Sequence, residues 1–139
     1  MSAVDVVVQV FGSAEERTPQ LAAEAYHDDL EFRWPQPLPH AGSRHGLKAS
    51  VERRPGWAQT RDRVQSEPDR GPGARVVAPS DDEVVVRWHQ RGRDRAGREL
   101  DTPVLGPYQV RDGTLARPQM FHFDPLAAAG FLAQAVAGA

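Results

Sequence analysis

The sequence predicts an α+β protein whose second half is an antiparallel meander closed by a C-terminal helix. Three runs rich in β-forming residues cover 84–91, 100–110 and 115–123. Short turns separate these runs, and such turns cannot make the crossover that parallel strands need. Asp112-Gly113, between the last two runs, is a strong hairpin signal because glycine tolerates the positive φ of a tight turn. Residues 125–137 place apolar side chains at helical spacing, with Pro125 in the first turn.

The N-terminal segment gives a less decisive pattern. Apolar side chains of residues 4–11 fall at the helical spacing i, i+3, i+4 and i+7, yet consecutive valines favour a strand, so the pattern leaves both open. Thr18-Pro19 is a good start for a second helix, with an N-cap residue before a first-turn proline. We expect that helix to end at Asp28-Asp29.

The next segment predicts a short strand, a loop and a short helix. Phe32 and Trp34 alternate with polar neighbours, which gives the strand one apolar face. Residues 35–39 contain three prolines and must form a loop, because proline cannot donate to a strand ladder. Residues 47–54 can form a short helix that Pro55-Gly56 stops.

Composition indicates one ordinary globular domain over residues 1–139. The hydrophobic content of 40% and the charged content of 26% are near globular averages. A net charge of −2 gives no reason to expect a nucleic acid or an anionic membrane as partner. No apolar run reaches membrane-spanning length, and the N-terminus lacks the pattern of a secretory signal, so we expect a cytoplasmic protein.

The residue types exclude several kinds of chemistry. There is no cysteine, which rules out disulfides, thiolate catalysis and cysteine-ligated zinc. His40 and His45 lie five residues apart in a loop without a convincing third ligand, so we expect no metal site. No motif for an organic cofactor is present, and none is expected.

Two segments resemble SnoaL-like proteins of the nuclear transport factor 2-like superfamily. Residues 104–113, followed by Gln-Met-Phe-His-Phe-Asp at 119–124 and a helix, are similar to the C-terminal half of those proteins. Residues 27–35, followed by a Pro/Gly loop and Arg-His-Gly-Leu at 44–47, are similar to the family's acidic pair, strand, loop, glycine and helix. The superfamily includes polyketide cyclases, limonene-type epoxide hydrolases, ketosteroid isomerase and scytalone dehydratase.

The resemblance implies a cone-shaped fold, in which a bent and mostly antiparallel sheet packs on N-terminal helices with a further C-terminal helix. It favours a helix for residues 4–11, with a break near 12–17. The mouth of such a cone holds a small, largely apolar ligand. Strand alternation then gives the expected lining residues, which are Phe32, Trp34, Thr102, Val104, Gly106, Tyr108, Gln119, Phe121 and Phe123.

The strand over 84–91 has two possible orientations. Hydrophobic patterning puts Val84, Val86 and Trp88 inside, whereas a match to the epoxide-hydrolase pattern puts Arg87 and His89 inside. The second orientation is favoured because Trp88-His89-Gln90 also resembles the strand that carries a catalytic histidine in scytalone dehydratase. The outer sheet face, which commonly forms a dimer in this family, would then bear Trp88 or Met120 and His122.

His89 is the predicted catalytic residue, with Arg87 as a second candidate. Histidine acts as an acid or base at neutral pH without a large pKa shift, although a purely structural His89 is an equal alternative. Arg87 is expected to pair with an acidic neighbour in preference to clamping a substrate. The carboxylates of the epoxide hydrolases and of ketosteroid isomerase have no counterpart here, so neither mechanism can be carried over.

Two classes of function follow from the resemblance. The first is a small-molecule enzyme without organic cofactor, of the cyclase, dehydratase, isomerase or epoxide-opening type, acting on a polyketide-like or terpenoid substrate. An apolar cavity with a few convergent polar groups suits that work. The second is a non-catalytic module for ligand binding or dimerisation, which the missing carboxylates favour. We expect a small apolar ligand and a homodimer in either case.

Overall fold

The computed structural model describes residues 2–16, 24–46 and 73–138. Helix α1 spans Ala3–Glu16 and helix α2 spans Pro125–Ala137. The strands are β1 (Glu31–Trp34), β2 (Gly42–His45), β3 (Arg75–Pro79), β4 (Glu83–Arg93), β5 (Glu99–Arg111), β6 (Thr114–Pro118) and β7 (Phe121–His122). The predicted helix over 47–54 lies outside the described residues, as does most of the helix predicted from Thr18-Pro19.

The predicted meander is confirmed. Strands β3, β4, β5 and β6 pair in that order, all antiparallel. Strand β7 pairs with an earlier part of β5 than β6 does. The β5–β6 turn holds Asp112 at φ 54° and Gly113 at φ 74°, as the hairpin signal indicates. Strands β1 and β2 form a separate antiparallel pair. Parallel bridges at Tyr26 and Arg33 join the first part of the chain to Leu115 and Gln119.

Helix α1 packs on one face of the larger sheet, called the inner face below. Its residues Val6, Val7 and Val10 are buried, so tertiary packing decides the ambiguous valine pattern in favour of a helix. Ser2 and Asp5 form a reciprocal cap at its start, with Asp5 N donating to Ser2 Oγ at 3.2 Å and Ser2 N to Asp5 Oδ2 at 3.0 Å. The resemblance implied a break near residues 12–17. That expectation is wrong for residues 12–16, because the helix continues to Glu16.

Helix α2 matches its prediction in place and type. The Asp124 carboxylate accepts a hydrogen bond from Ala127 N at 2.9 Å and caps the helix just before Pro125. Its buried residues are Ala128, Phe131, Leu132 and Ala135, and the helix contacts β5.

A buried carboxylate organises the turn between β4 and β5. Asp94 Oδ1 accepts hydrogen bonds from the backbone N–H groups of Ala96 and Arg98, both at 2.9 Å, and Asp94 Oδ2 accepts one from Arg98 Nε at 2.6 Å. Burial opposes ionisation of Asp94, but these bonds outweigh it and lower its pKa below the ordinary value. Arg98 also donates to Gln134 of α2, so the turn is tied to the helix.

The β4–β5 pairing corrects one sequence prediction. Trp88 lies directly opposite Val104, and Val84 opposite Tyr108, and all four are buried on the inner face. The prediction that Arg87 and His89 project into the cone is therefore wrong, because successive side chains of a strand point to opposite faces. Hydrophobic patterning gave the correct orientation.

A register shift corrects a second prediction. Gln109 pairs with Arg117 while Val110 pairs with Leu115, so β6 contains one extra residue at this point. One extra residue exchanges the faces of the strand that follows. Gln119, Phe121 and Phe123 accordingly do not point inwards; Phe121 is 55% exposed and Phe123 is 82% exposed.

Candidate functional site

A cluster of aromatic and polar side chains lies where β1 meets β5 and β7 on the inner face. Phe32 and Trp34 of β1 stack in parallel, with ring centroids 5.8 Å apart. Two imidazoles approach Trp34: His40 stands edge-on with centroids 4.6 Å apart, and His122 is tilted at 6.2 Å. Trp34, His40, Thr102 and His122 are called the Trp34 cluster below.

The proline-rich loop brings His40 to this cluster. Leu38 N donates to Pro35 O at 3.2 Å, and Ala41 N donates to Leu38 O at 3.0 Å, so the loop turns twice in succession. The turns place Leu38 and His40 in the protein interior, each 3% exposed. A histidine from a polar loop thereby becomes part of the core.

His122 reaches the cluster from β7. Its backbone position is opposite Val104, so it shares the inner face with that residue. Both ring nitrogens are buried, and neither has a hydrogen-bond partner among the residues that the structure describes. Burial lowers the pKa of His122 to about 4, so the imidazole is neutral at pH 7.

Thr102 adds a second polar group next to His122. It precedes Val104 by two residues on the same face of β5, which makes it a diagonal neighbour of His122. The Thr102 hydroxyl is buried and, within the described ranges, makes no hydrogen bond. Two adjacent groups therefore retain their hydrogen-bonding capacity inside the protein.

Trp88 and Tyr108 form the apolar wall under α1. Trp88 Nε1 donates to the Tyr108 hydroxyl at 2.6 Å, and Phe11 of α1 contacts both rings, with centroids 5.8 and 5.5 Å away. Burial raises the pKa of Tyr108 despite the hydrogen bond from Trp88, so the phenol stays neutral. Tyr108 thus has a hydrogen-bond partner within the part of the chain that the structure describes, whereas Thr102 has none there.

Of the predicted lining residues, five lie in the interior: Phe32, Trp34, Thr102, Val104 and Tyr108. Gly106 also faces inwards, opposite Val86. Their part in ligand binding stays a prediction. The sequence interpretation did not place His40 or His122 among the lining residues, because one sits in the loop and the other follows the register shift in β6.

The predicted catalytic pair lies on the outer face. His89 Nδ1 is 2.8 Å from Asp101 Oδ1, and Arg91 Nε is 3.2 Å from Asp101 Oδ2, so one carboxylate bridges two basic side chains. Arg87 is exposed on the same face. A catalytic role for His89 stays a prediction, and it would have to act outside the cone.

Other features of the described residues add little chemistry. None of them forms a group of three or more potential metal ligands. Within the same ranges, no helix is both long and apolar enough to cross a membrane. A groove of about 150 Å³ between α1 and β3 is lined mainly by valines and Phe11, with Arg75 as its one charged side chain.

Comparisons with known proteins define the fold. The chain matches no protein-family model and no curated protein sequence. It is similar to solved structures, among them a protein from Jannaschia sp. CCS1 provisionally named a SnoaL-like polyketide cyclase. That structure has 17% identity and a TM-score of 0.67, over 93% of this chain and 90% of the other.

Two further solved structures give the same result. An NTF2-like protein from Burkholderia xenovorans LB400 has 18% identity and a TM-score of 0.65, over 96% of this chain and 94% of its own. TerC, co-crystallized with polyporic acid, has 17% identity and a TM-score of 0.68, over 94% of this chain and 97% of its own. At these identities the likeness establishes the fold alone. As the resemblance to SnoaL-like proteins implies, the chain has the α+β, cone-like fold of the nuclear transport factor 2-like superfamily.

Proposed function

We propose that the chain binds a small, largely apolar molecule at the Trp34 cluster, with His122 and Thr102 as its polar contacts. The observation that carries the proposal is the buried imidazole of His122, which has no hydrogen-bond partner among the described residues. Buried polar atoms nearly always have partners in folded proteins, and an unpaired one costs about 1–3 kcal/mol. A ligand hydroxyl or carbonyl would supply the missing partner.

The surroundings favour a ligand with an aromatic or alicyclic skeleton. The stacked rings of Phe32 and Trp34 form one side of the cluster, and Val104 and Met120 add buried aliphatic surface. Sites for small molecules typically combine such a surface with a few placed polar groups. The polyporic acid of the TerC crystals and the polyketide cyclase name of the Jannaschia protein support a polyketide-like compound.

A matched pair of probes tests this proposal. 2-Naphthalenemethanol and 2-methylnaphthalene share a skeleton and differ by one hydroxyl. We expect wild-type protein to bind the alcohol about 10-fold more tightly, which corresponds to one hydrogen bond of about 1.4 kcal/mol. His122→Phe keeps an aromatic ring and removes both nitrogens, so it should lose most of the preference for the alcohol and keep only the part that Thr102 supplies. Isothermal titration calorimetry measures both affinities.

His89→Phe is the control for that measurement, since it makes the same replacement on the outer face. We expect it to keep the preference for the alcohol. An unchanged preference in His122→Phe would show that His122 is not the polar contact. Failure of both probes to bind wild-type protein would contradict the ligand site itself.

A second candidate function is proton transfer without an organic cofactor, as in cyclases, dehydratases, isomerases or epoxide-opening enzymes. The lowered pKa of His122 favours it, because an unprotonated imidazole at pH 7 is available to accept a proton from a bound substrate. Once a substrate is found, His122→Gln is expected to lower kcat by about 100-fold or more. The dissociation constant should change little, because glutamine keeps a donor and an acceptor. An unchanged kcat would leave binding as the function.

We also propose that two copies associate through the outer sheet face. Leu105 and Phe121 are cross-strand neighbours there, 46% and 55% exposed, with Phe123 close by. The sequence predicted a dimer face that bears Trp88 or Met120 and His122. That prediction is wrong, because all three residues lie on the inner side of the sheet. The opposite charges of Arg91 and Asp101 suit a two-fold interface, which places a patch against its own copy.

Light scattering tests the association. Wild-type protein should be dimeric at high micromolar concentration, because exposed apolar patches usually meet a partner. Phe121→Glu is expected to give a monomer, whereas Leu126→Glu on the exposed side of α2 should remain dimeric. A monomeric wild type at that concentration would contradict the proposal.

A further inference from the structure

Charge is distributed unequally between the two faces of the sheet. On β4 and β5, the charged side chains lie on the outer face, and examples are Arg87, Arg91 and Asp101. Among the described residues, the inner-facing positions of these two strands carry no formal charge. They are Val84, Val86, Trp88, Gln90, Gly92, Leu100, Thr102, Val104, Gly106, Tyr108 and Val110.

The first strand shows the same separation. Phe32 and Trp34 point into the Trp34 cluster, whereas Glu31 points to the opposite side. There the Glu31 carboxylate lies 2.6 Å from Arg33 Nε and 3.8 Å from Arg117 Nη2. Its charge is therefore neutralised away from the cluster, and the one titratable group on β7, His122, is uncharged at pH 7.

We infer that the Trp34 cluster accepts an uncharged ligand carrying a hydroxyl or carbonyl group and rejects ligands with a carboxylate, phosphate or ammonium group. This inference rests on the proposed ligand site. An ion loses its hydration on entering an apolar site, and without an opposite charge the loss is not compensated. None of the inner-facing groups named above supplies such a charge.

The hydrogen-bonding groups point to the same ligand class. A neutral imidazole has one donor and one acceptor, and the Thr102 hydroxyl can donate and accept. A ligand hydroxyl also donates and accepts, so it satisfies either group. A ligand carbonyl accepts from the donor nitrogen of His122 without bringing a charge. A carboxylate accepts the same hydrogen bond but brings a charge that none of the inner-facing groups compensates.

A set of probes on one skeleton tests the inference at pH 7 with wild-type protein. The neutral probes are 2-naphthalenemethanol and 2-acetonaphthone, and the charged ones are 2-naphthoate and 2-naphthylmethylammonium. We expect both charged probes to bind at least about 10-fold more weakly than the alcohol, the factor that corresponds to 1.4 kcal/mol. Calorimetry of all four in one buffer gives the comparison.

The outcomes separate this inference from the site on which it depends. Tight binding of both neutral probes and weak binding of both charged ones would support it. Binding of naphthoate or the ammonium probe as tight as that of the alcohol would overturn the inference and leave the ligand site standing. Failure of all four probes to bind would overturn the proposed site, and the inference with it.

Discussion

Gly106→Ala is expected to destabilise the protein by about 3 kcal/mol or more, at the upper end of the usual cost of overpacking a core. A Cβ atom at Gly106 would lie 1.9 Å from the carbonyl oxygen of Gln119. That oxygen belongs to the backbone and cannot rotate away. The segment is also held in place, because Gln119 N donates to Pro107 O at 3.0 Å and Met120 N donates to Arg33 O at 3.1 Å.

Urea denaturation measures this effect, and Gly130→Ala is its control. A Cβ at Gly130, in the middle of α2, would meet nothing within 4 Å. Alanine there should stabilise the helix by about 0.5–1 kcal/mol, since it restricts the unfolded chain. Overpacking a core usually costs about 1–3 kcal/mol of unfolding free energy. If Gly106→Ala loses less than about 1 kcal/mol, the backbones at Gly106 and Gln119 are not in such close contact.

Trp88→Ala is expected to cost about 3–5 kcal/mol, as is usual for removing a large aromatic side chain from a core. The indole is only 9% exposed, contacts Phe11 and donates to the Tyr108 hydroxyl. The neighbouring changes Arg87→Ala and His89→Ala lie on the outer face, and each should alter stability by no more than about 0.5 kcal/mol. Thermal and urea unfolding of the three variants provide the comparison.

This series also tests the orientation of β4. If the strand were shifted by one residue, the faces would be exchanged. His89→Ala would then cost more than Trp88→Ala. The ranking of the variants therefore distinguishes the two orientations without reference to any ligand.

Alternation was sufficient to orient β4 and β5, although the orientation favoured for β4 was the wrong one. Alternation placed Thr102, Val104 and Tyr108 on the inner face, and the same rule applied to β4 favours Val84, Val86 and Trp88. The resemblance of a short triplet to a catalytic strand pointed the other way. Patterning is the stronger physical argument, because burying the Arg87 guanidinium without a partner would cost far more than exposing a valine.

The residues after β6 could not be assigned from the sequence. Leu115 points inwards, and counting from it in steps of two gives Gln119, Phe121 and Phe123. The extra residue in β6 shifts the count by one and brings Met120 and His122 inside instead. Nothing in the sequence of β6 marks that extra residue. The exposed phenylalanines made the wrong assignment attractive, because apolar residues usually lie in the core.

His40 was missed for a different reason. Alternation and helical spacing predict where the side chains of regular elements point, and His40 belongs to neither kind of element. Its burial depends on the two successive turns of the loop, which return the chain to the Trp34 ring. The three prolines of residues 35–39 predict a loop, but they do not determine the path that the loop takes.

The parallel bridges at Tyr26 and Arg33 have a consequence for the order of folding. The β4–β5 hairpin joins neighbouring parts of the chain, so its formation requires only a small loss of loop entropy. The bridges to Leu115 and Gln119 close a far longer loop, and contacts of that kind form slowly. Since Trp34 meets His122 only when those bridges have formed, we expect the ligand site to be assembled late, after the hairpin against which it is built.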